Sequence, residues 1–222
     1  MLMENVSTHD VMENVRRALG RTQTPSQAPT PPSIDEHIVR LVYSEIGLAE
    51  LFQKRATDMK MLVEFLSVDD LHAKLLAFLR ERNCKSAMLS DTPILQKIGT
   101  LEFLKQNGIA AKSWREMTAD SAYEMDAGVT EADYAVAETG TLAIRHRPEH
   151  GRLLSLVPFV HVAVITPKIC VPDLIDLFQR LAAHGVGSGV TMISGPSKTS
   201  DIEMNTVTGV HGPNVVKTFI LT

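Results

Sequence analysis

A chain of 222 residues with 44% hydrophobic and 22% charged residues has the composition of a soluble globular protein and is long enough for one substantial domain. Its formal net charge is −4 and its basic residues are scattered, which argues against nucleic acid as a partner because phosphate binding requires a basic stripe. The two cysteines are too few for the four ligands of a standard iron–sulfur cluster. Without a signal-peptide pattern or an apolar run of about 18 residues, we expect no membrane span and a cytoplasmic location.

The first part of the chain predicts an appendage. Residues 1–20 have apolar positions at helical spacing and end at Gly20, which predicts a short helix. Residues 21–33 carry four prolines among Thr, Ser and Gln, a composition typical of an extended linker. The helix is therefore expected to be tethered to the main domain, residues 34–222. It could dock on a partner or on a second copy of the chain, as in a homo-oligomer, or be a frayed tail.

From residue 34 onward, helical and strand patterns alternate along the chain. This order predicts an α/β fold with right-handed crossovers, in which a mostly parallel sheet is flanked by helices. The predicted helices cover residues 38–60 with an interruption at Gly47, and residues 68–82, 93–107 and 171–184. The predicted strands cover residues 62–66, 85–89, 109–112, 132–137, 141–145, 160–166, 190–193 and 215–221.

A polar string at residues 194–203 interrupts an otherwise apolar region after a predicted strand. Pro196 suits a first helical turn, and Ser200 with Glu203 matches a capping box, so the pattern predicts that a helix begins here. Free backbone N–H groups at a helix start, beside the hydroxyls and the lysine of the string, would bind an anion. A capped turn without a ligand fits the same residues.

Two further polar motifs accompany this string. Glu138-Thr139-Gly140 lies between two predicted strands, and its glutamate could act as a nucleophile or base, or could bond to a neighbouring loop. His211 lies between Gly209 and Gly212, where it could serve as a general acid or base, contact an anion, or have no role. A single site requires these regions to meet, and we expect this at the carboxyl ends of the sheet strands.

The string from His146 to His150 matches the zinc-protease pattern H-x-x-E-H. That motif needs a continuous helix, which Pro148 and the following Gly151 disfavour, so we expect no zinc here. We expect the two histidines to form a mobile basic loop facing the site, together with Arg145, Arg147 and Arg152.

Several segments together resemble the LutC/YkgG family of LUD-domain proteins, the lactate utilization protein C group. They are GVT at 128–130, ADYAVAETGTL at 132–142, LSLVP at 154–158, VHV at 160–162, SGPSKTSDIE at 194–203 and GVHGP at 209–213. The resemblance implies a fold akin to the NagB/RpiA/CoA-transferase group and a role in oxidising L-lactate to pyruvate within a three-protein system. It also implies that partner proteins carry the iron–sulfur clusters. The lysine at position 198 departs from the arginine common there.

The resemblance assigns no catalytic residue to this chain. From the motifs we predict catalytic roles for Glu138, Asp201 and His211, as proton-transfer groups or as polar contacts to the ligand. The predicted binding residues for a small anionic ligand are Thr139, Gly140, Ser194, Gly195, Ser197, Lys198, Thr199, Glu203 and Gly212. The cofactor is left open, with no zinc or iron–sulfur cluster expected in this chain. Two other functions stay open: a CoA-transferase-like enzyme whose Glu138 forms a thioester, and a non-catalytic regulator that senses lactate or a sugar phosphate.

Overall fold

The computed structural model describes residues 8–21, 30, 32, 35, 40–42, 47–201, 205–208 and 212–222. The chain divides into two units, residues 1–39 and 40–222. In the first unit, helix α1 covers Thr8–Ala18, as the spacing predicted. Its apolar side chains reach solvent, with Val11, Met12 and Val15 each about half exposed.

The second unit is built on a six-stranded sheet in the order β1-β12-β7-β4-β2-β3, in which every neighbouring pair is parallel. The predicted α/β fold with a mostly parallel sheet is therefore confirmed. Its central strand β7 is buried along its whole length, as expected for a strand covered on both faces. The strands are β1 (Leu62–Leu66), β2 (Ser86–Leu89), β3 (Ala110–Ser113), β4 (Ala127–Glu131), β7 (Val160–Ile165) and β12 (Val215–Leu221).

Helices cover both faces of this sheet. On one face, the apolar stripe of α3, which includes Leu71, Leu75 and Leu79, is buried against the strands together with the short helices α4 and α5. The predicted helix over residues 93–107 is split in two because Gly99 adopts a φ of 69° between them. The helices are α2 (Leu48–Asp58), α3 (Leu71–Glu81), α4 (Pro93–Lys97), α5 (Thr100–Gln106), α6 (Ala119–Tyr123), α7 (Leu153–Leu156) and α8 (Leu174–His184).

Three predicted helix starts lie too early in the chain. The helix expected from residue 68 begins at Leu71. The described residues 40–42 are not helical, and α2 begins only after Gly47, which has a φ of 72°. The helix expected from residue 171 begins at Leu174, because the Asp173 carboxylate accepts hydrogen bonds from the N–H groups of Ile175 and Asp176 and caps the first turn.

A second, four-stranded sheet in the order β8-β5-β6-β9 packs beside the first. One of its faces shares a hydrophobic core with the main sheet and α2, and the other is covered by α8. Side chains of successive strand residues point to opposite faces of the sheet. Ala135 faces the main sheet, while Tyr134 and Val136 face α8. The strands are β5 (Tyr134–Val136), β6 (Thr141–Arg145), β8 (Cys170–Val171) and β9 (Val190–Ile193).

The segment after β9 is a β-hairpin, so the helix predicted from residue 196 is wrong. Strand β10 (Lys198–Asp201) pairs antiparallel with β11 (Asn205–Thr208). The capping-box pattern is a local signal, and pairing with a second segment that is rich in β-branched Thr and Val overrides it. Among the helices that the structure describes, none is long and apolar enough to cross a bilayer.

Candidate functional site

A chain of hydroxyl groups joins two of the predicted motifs. The Thr139 hydroxyl donates a hydrogen bond of 2.7 Å to Oγ1 of Thr141, which in turn lies 2.8 Å from Oγ of Ser194. Thr141 is buried at the start of β6, whereas Ser194 is exposed just after β9. This row of hydroxyl groups therefore joins the half-buried Thr139, through the buried Thr141, to the surface at Ser194, and it ties the Glu138 turn to the polar string.

Two glycines of these motifs pack against the carboxyl end of α2. Gly140 has a φ of 64°, and a Cβ there would lie 2.3 Å from the backbone nitrogen of Ala56. Gly195 has a φ of 99°, and its Cβ would lie 2.2 Å from the carbonyl oxygen of Met59. A side chain at either position would clash with backbone atoms, so the motifs require glycine for this close approach.

The third motif, at Gly212 and Pro213, contacts the polar string that begins at Ser194. The backbone N–H of Ser197 donates a 2.8 Å hydrogen bond to the carbonyl of Pro213, and a Cβ on Gly212 would lie 3.1 Å from Cβ of Ser197. Residues 138–141, 194–197 and 212–213 thus form one contiguous group, named here the motif cluster. His211 itself lies outside the described residues.

The position of the motif cluster differs from the one predicted. It lies at the end of the second sheet, where β5 turns into β6 and where β9 ends. Met59 and Pro213 lie shortly before β1 and β12, so the cluster is near the amino ends of these main-sheet strands. The motifs meet as a single site requires, but the prediction that they meet at the carboxyl ends is wrong for the parallel sheet.

Glu138 is half-buried in the turn between β5 and β6. Its backbone N–H donates a 3.0 Å hydrogen bond to the carbonyl of Pro172, which fixes the turn on the segment before α8. Its carboxylate forms no hydrogen bond or ion pair with any residue that the structure describes. A carboxylate held on a fixed turn without an internal partner is able to accept a proton or to attack an electrophile.

The predicted anion site lacks the helix N-terminus on which it was partly based. Because Lys198 begins a strand, no helix N-terminus supplies N–H groups here. The carbonyl end of α2 faces Gly195 instead, and the negative end of that helix dipole disfavours an anion. Any anion at this position would depend on cations such as the exposed Lys198 and on the hydroxyl groups of the motif cluster.

The remaining predicted residues are described only in part. Asp201 and Thr199 lie in strand β10, but their side chains fall outside the described residues. Glu203 also lies outside them. The roles assigned to these residues stay predictions.

The segment from Arg145 to His150 differs from the expected mobile basic loop, because its two histidines are buried. Arg145 and Arg147 both donate hydrogen bonds to the buried carboxylate of Asp133 and fold the segment inward. Burial alone would raise the pKa of Asp133, but the hydrogen bonds from Arg147 and Arg145 outweigh it and hold the pKa below its usual value. Sequence reasoning missed this cluster, although the hairpin between Asp133 and Arg145 brings opposite charges together.

The carboxyl ends of β1 and β12 border a separate cavity of about 610 Å³. Phe65, Lys168, Cys170 and Arg180 are among the residues that line it, and the predicted site residues are not. Burial raises the pKa of the Cys170 thiol to about 11, so this group is not a ready nucleophile. The other cysteine, Cys84, is also free and buried.

The family model described as "LUD domain" matches residues 49–221 of this chain. The chain is 29% identical over 211 residues to "Lactate utilization protein C" of Halalkalibacterium halodurans, covering 91% of this chain and 92% of that protein. It is 34% identical over 152 residues to "Lactate utilization protein C" of an Exiguobacterium strain, covering 59% of this chain and 66% of that protein. It is also 27% identical over 219 residues to "Uncharacterized protein YkgG" of Escherichia coli, covering 92% of this chain and 93% of that protein.

A solved structure shows the same fold. The crystal structure of a DUF162 family protein from Deinococcus radiodurans superposes with a TM-score of 0.61 at 20% identity, covering 81% of this chain and 99% of that one. The family match spans both the main sheet and the motif cluster. The chain therefore belongs to the LUD domain family.

Proposed function

We propose that this chain is a lactate utilization protein C-like component of a cytoplasmic three-protein system that oxidises L-lactate to pyruvate. The observation that carries the proposal is the meeting of Glu138, the hydroxyl chain to Ser194 and the segment at Gly212 in one motif cluster. The names of the relatives at 29% and 34% identity support the substrate.

In this proposal the chain supplies polar and proton-transfer groups, and its partners carry the electrons. Oxidation of lactate removes two electrons and two protons from the carbinol carbon and its hydroxyl. Glu138, Asp201 and His211 are the proposed proton acceptors, and Lys198 with the serine and threonine hydroxyls would hold the carboxylate. The electrons pass to iron–sulfur clusters on the partner proteins, as the family resemblance implies. The presence of only two cysteines in this chain, both buried, agrees with this.

The test is reconstitution with the two proposed partner proteins, sought among the products of neighbouring genes and purified together with this chain under anaerobic conditions. Lactate-dependent dye reduction should require all three proteins, and the chain should co-purify with its partners. Full activity from the two partners without this chain, or failure of the three to associate, would contradict the proposal.

A second function is favoured by one observation, the unpartnered and half-buried state of the Glu138 carboxylate among the described residues. The Glu-x-Gly turn that carries it resembles the element from which CoA transferases form a glutamyl thioester. In such a step the Glu138 carboxylate displaces the CoA thiolate from an acyl-CoA and forms a mixed anhydride. The thiolate then attacks the glutamyl carbonyl of the anhydride, which gives the glutamyl thioester and releases the former acyl group as its carboxylate. Incubation with acyl-CoA and mass spectrometry of the peptide containing Glu138 tests this, and absence of an adduct argues against it.

A non-catalytic regulator that senses lactate or a sugar phosphate is the remaining proposal. It predicts that such a ligand raises the thermal unfolding temperature of the isolated chain, since ligand binding to the folded state alone stabilises it. The same ligand would undergo no turnover in the assembled system.

A further inference from the structure

The hydroxyl chain of the motif cluster has a direction. The Thr139 hydroxyl donates a hydrogen bond of 2.7 Å to Oγ1 of Thr141. Oγ1 of Thr141 lies 2.8 Å from Oγ of Ser194, and from the geometry of this pair alone either group could be the donor. A hydroxyl group has one proton to donate and two lone pairs that accept. The position of the Thr141 proton therefore decides which way the second hydrogen bond runs.

The burial of Thr141 decides this direction. The residue is 2% exposed, and among the described residues its hydroxyl has no hydrogen-bond partner other than Thr139 and Ser194. Thr139 already donates to Thr141, so Ser194 is the acceptor that remains for the Thr141 proton. A buried hydroxyl proton without an acceptor would cost the free energy of its desolvation. Thr141 therefore donates to Ser194.

The two ends of the hydroxyl chain are consequently different. Ser194 is exposed, and because its oxygen accepts from Thr141, its own proton points away from the chain toward the surface. Thr139 has given its proton to the hydrogen bond with Thr141 and offers only lone pairs. Of these three hydroxyl groups, Ser194 alone can donate to a ligand. Successive hydrogen bonds polarise one another, which strengthens this outer donor.

The backbone on both sides holds Ser194 in place. The antiparallel register of β6 and β9 pairs Leu142 with Ile193. One residue further, the same register places Thr141 opposite Ser194, where a hydrogen bond between two hydroxyl side chains stabilises the strand pair. On the other side, Gly195 has a φ of 99° and packs on the backbone at the end of α2. With the backbone fixed in this way, the direction of the Ser194 proton depends on Thr141.

We infer that Thr141 is a positioning residue, which orients the Ser194 hydroxyl as the donor that holds a carboxylate oxygen of the ligand. The identity of that ligand as lactate rests on the proposed function, whereas the direction of the hydroxyl chain does not. An ionised carboxylate accepts hydrogen bonds and donates none, so it matches Ser194. Because the carbonyl end of α2 at Gly195 disfavours an anion, a carboxylate here needs an oriented donor, and hydrogen bonds to ionised acceptors are the strong ones.

The first test is calorimetric titration of the full-length protein with L-lactate and with pyruvate. At least one of the two acids should bind saturably below about 10 mM. Ser194→Ala removes the donor and should weaken binding about tenfold or more, whereas Ser188→Ala, which changes an exposed serine outside the motif cluster, should bind as the wild type does. Absence of saturable binding of both acids to the wild type would overturn the inference. Unchanged binding by Ser194→Ala, whose small exposed side chain can be replaced without loss of the fold, would do the same.

A pair of variants at Thr141 tests the direction of the hydroxyl chain. Thr141→Val keeps the shape of the side chain and removes the hydroxyl, so the Ser194 proton is free to turn among about three staggered positions and binding should weaken about threefold or more. Thr141→Ser keeps the hydroxyl and should bind within about twofold of the wild type. If Ser194 donated to Thr141 instead, Thr141→Val would release that proton, and unchanged or tighter binding would overturn the inference. Equal weakening by both variants would indicate packing alone and would also overturn it.

The reconstituted three-protein system separates this inference from the proposed function. There Ser194→Ala should raise the KM for L-lactate about tenfold and change kcat less, because a carboxylate is held alike in the ground state and the transition state. If the system does not oxidise lactate but the calorimetric pattern holds, the proposed function fails and the oriented donor for a carboxylate stands. If the system oxidises lactate but the calorimetric pattern is absent, the inference fails and the proposed function stands.

Discussion

Lowering the pH from 7 to 5 should destabilise this protein through His150 and His161. Burial depresses their pKa values in the folded state to about 4 and about 3, whereas an unfolded histidine titrates near 6.5. Because the unfolded chain binds these protons first, the stability is fully present above about pH 6.5 and is lost as the pH falls toward the folded pKa values. At pH 5 each ring is charged in the unfolded chain and neutral in the folded one. Linkage then gives a loss of about 2 kcal/mol per ring, or about 4 kcal/mol for both.

A loss of this size is a large part of the roughly 5–15 kcal/mol that stabilises a typical domain. Urea unfolding, followed by circular dichroism at pH 7, 6 and 5, measures it directly. His150→Phe should remove about half of the pH-dependent loss. Val162→Ala, which shortens a buried, non-titrating neighbour of His161 on β7, should lower the free energy of unfolding at every pH without changing the slope.

The chosen pH window separates the histidines from the carboxylates. The Asp133 carboxylate, whose pKa is held low by its two arginines, contributes stability that is lost only below about pH 4. A free energy of unfolding that stays constant between pH 7 and 5 would refute the reasoning. A His150→Phe variant with the full wild-type slope would do the same.

Three further predictions concern stability and reactivity. Gly140→Ala should cost clearly more than about 1 kcal/mol because the new Cβ meets the backbone of α2, whereas Gly108→Ala, with a φ of 82° but open space around it, should cost only about that amount in urea unfolding. Asp133→Asn should lower the free energy of unfolding by about 3 kcal/mol, because it leaves two arginines without their buried partner; an unchanged value would show that the ion pairs are not stabilising. Cys84 and Cys170, each with a pKa raised to about 11 by burial, should react with a thiol reagent at pH 8 only after unfolding, and fast labelling of the native protein would contradict their burial.

Most of the main sheet could be predicted because its signals are local and agree with one another, but its strand β4, Ala127–Glu131, was not predicted. Strands such as residues 160–165 are continuous apolar runs, and helices such as residues 71–81 repeat Leu at helical spacing. The alternation of the two then limits the topology to a parallel sheet with covered faces. The second sheet was not predicted as a separate layer, because β5 and β6 are short and their partners β8 and β9 lie far along the chain.

The hairpin after β9 shows where local signals mislead. Pro196, Ser200 and Glu203 have the spacing of a helix start, yet the segment pairs as a strand with residues 205–208. A capping box contributes only about 1 kcal/mol, and cross-strand pairing can outweigh it.

The meeting of the motifs was predicted, but its place in the fold was not, and the roles of the individual residues stay predictions. Motif order placed Glu138, Ser194 and Gly212 in one site, and contacts among the motifs confirm that these regions meet. The hydroxyl chain through Thr141 depends on the antiparallel register of β6 and β9, which a single sequence does not reveal. The burial of His146 and His150 was not predicted for a similar reason. Their segment folds inward because Arg145 and Arg147 pair with Asp133, and this pairing depends on the β5–β6 hairpin.

The most direct test of the account is the rate of L-lactate-dependent dye reduction by the reconstituted three-protein system carrying Glu138→Gln. The matched control is Glu116→Gln, which changes an exposed glutamate outside the motif cluster. If the motif cluster takes part in lactate oxidation, Glu138→Gln should lower the rate at least about 100-fold with the complex intact, as loss of a general base does, and Glu116→Gln should leave it unchanged. A wild-type rate for Glu138→Gln in an intact complex would contradict the account.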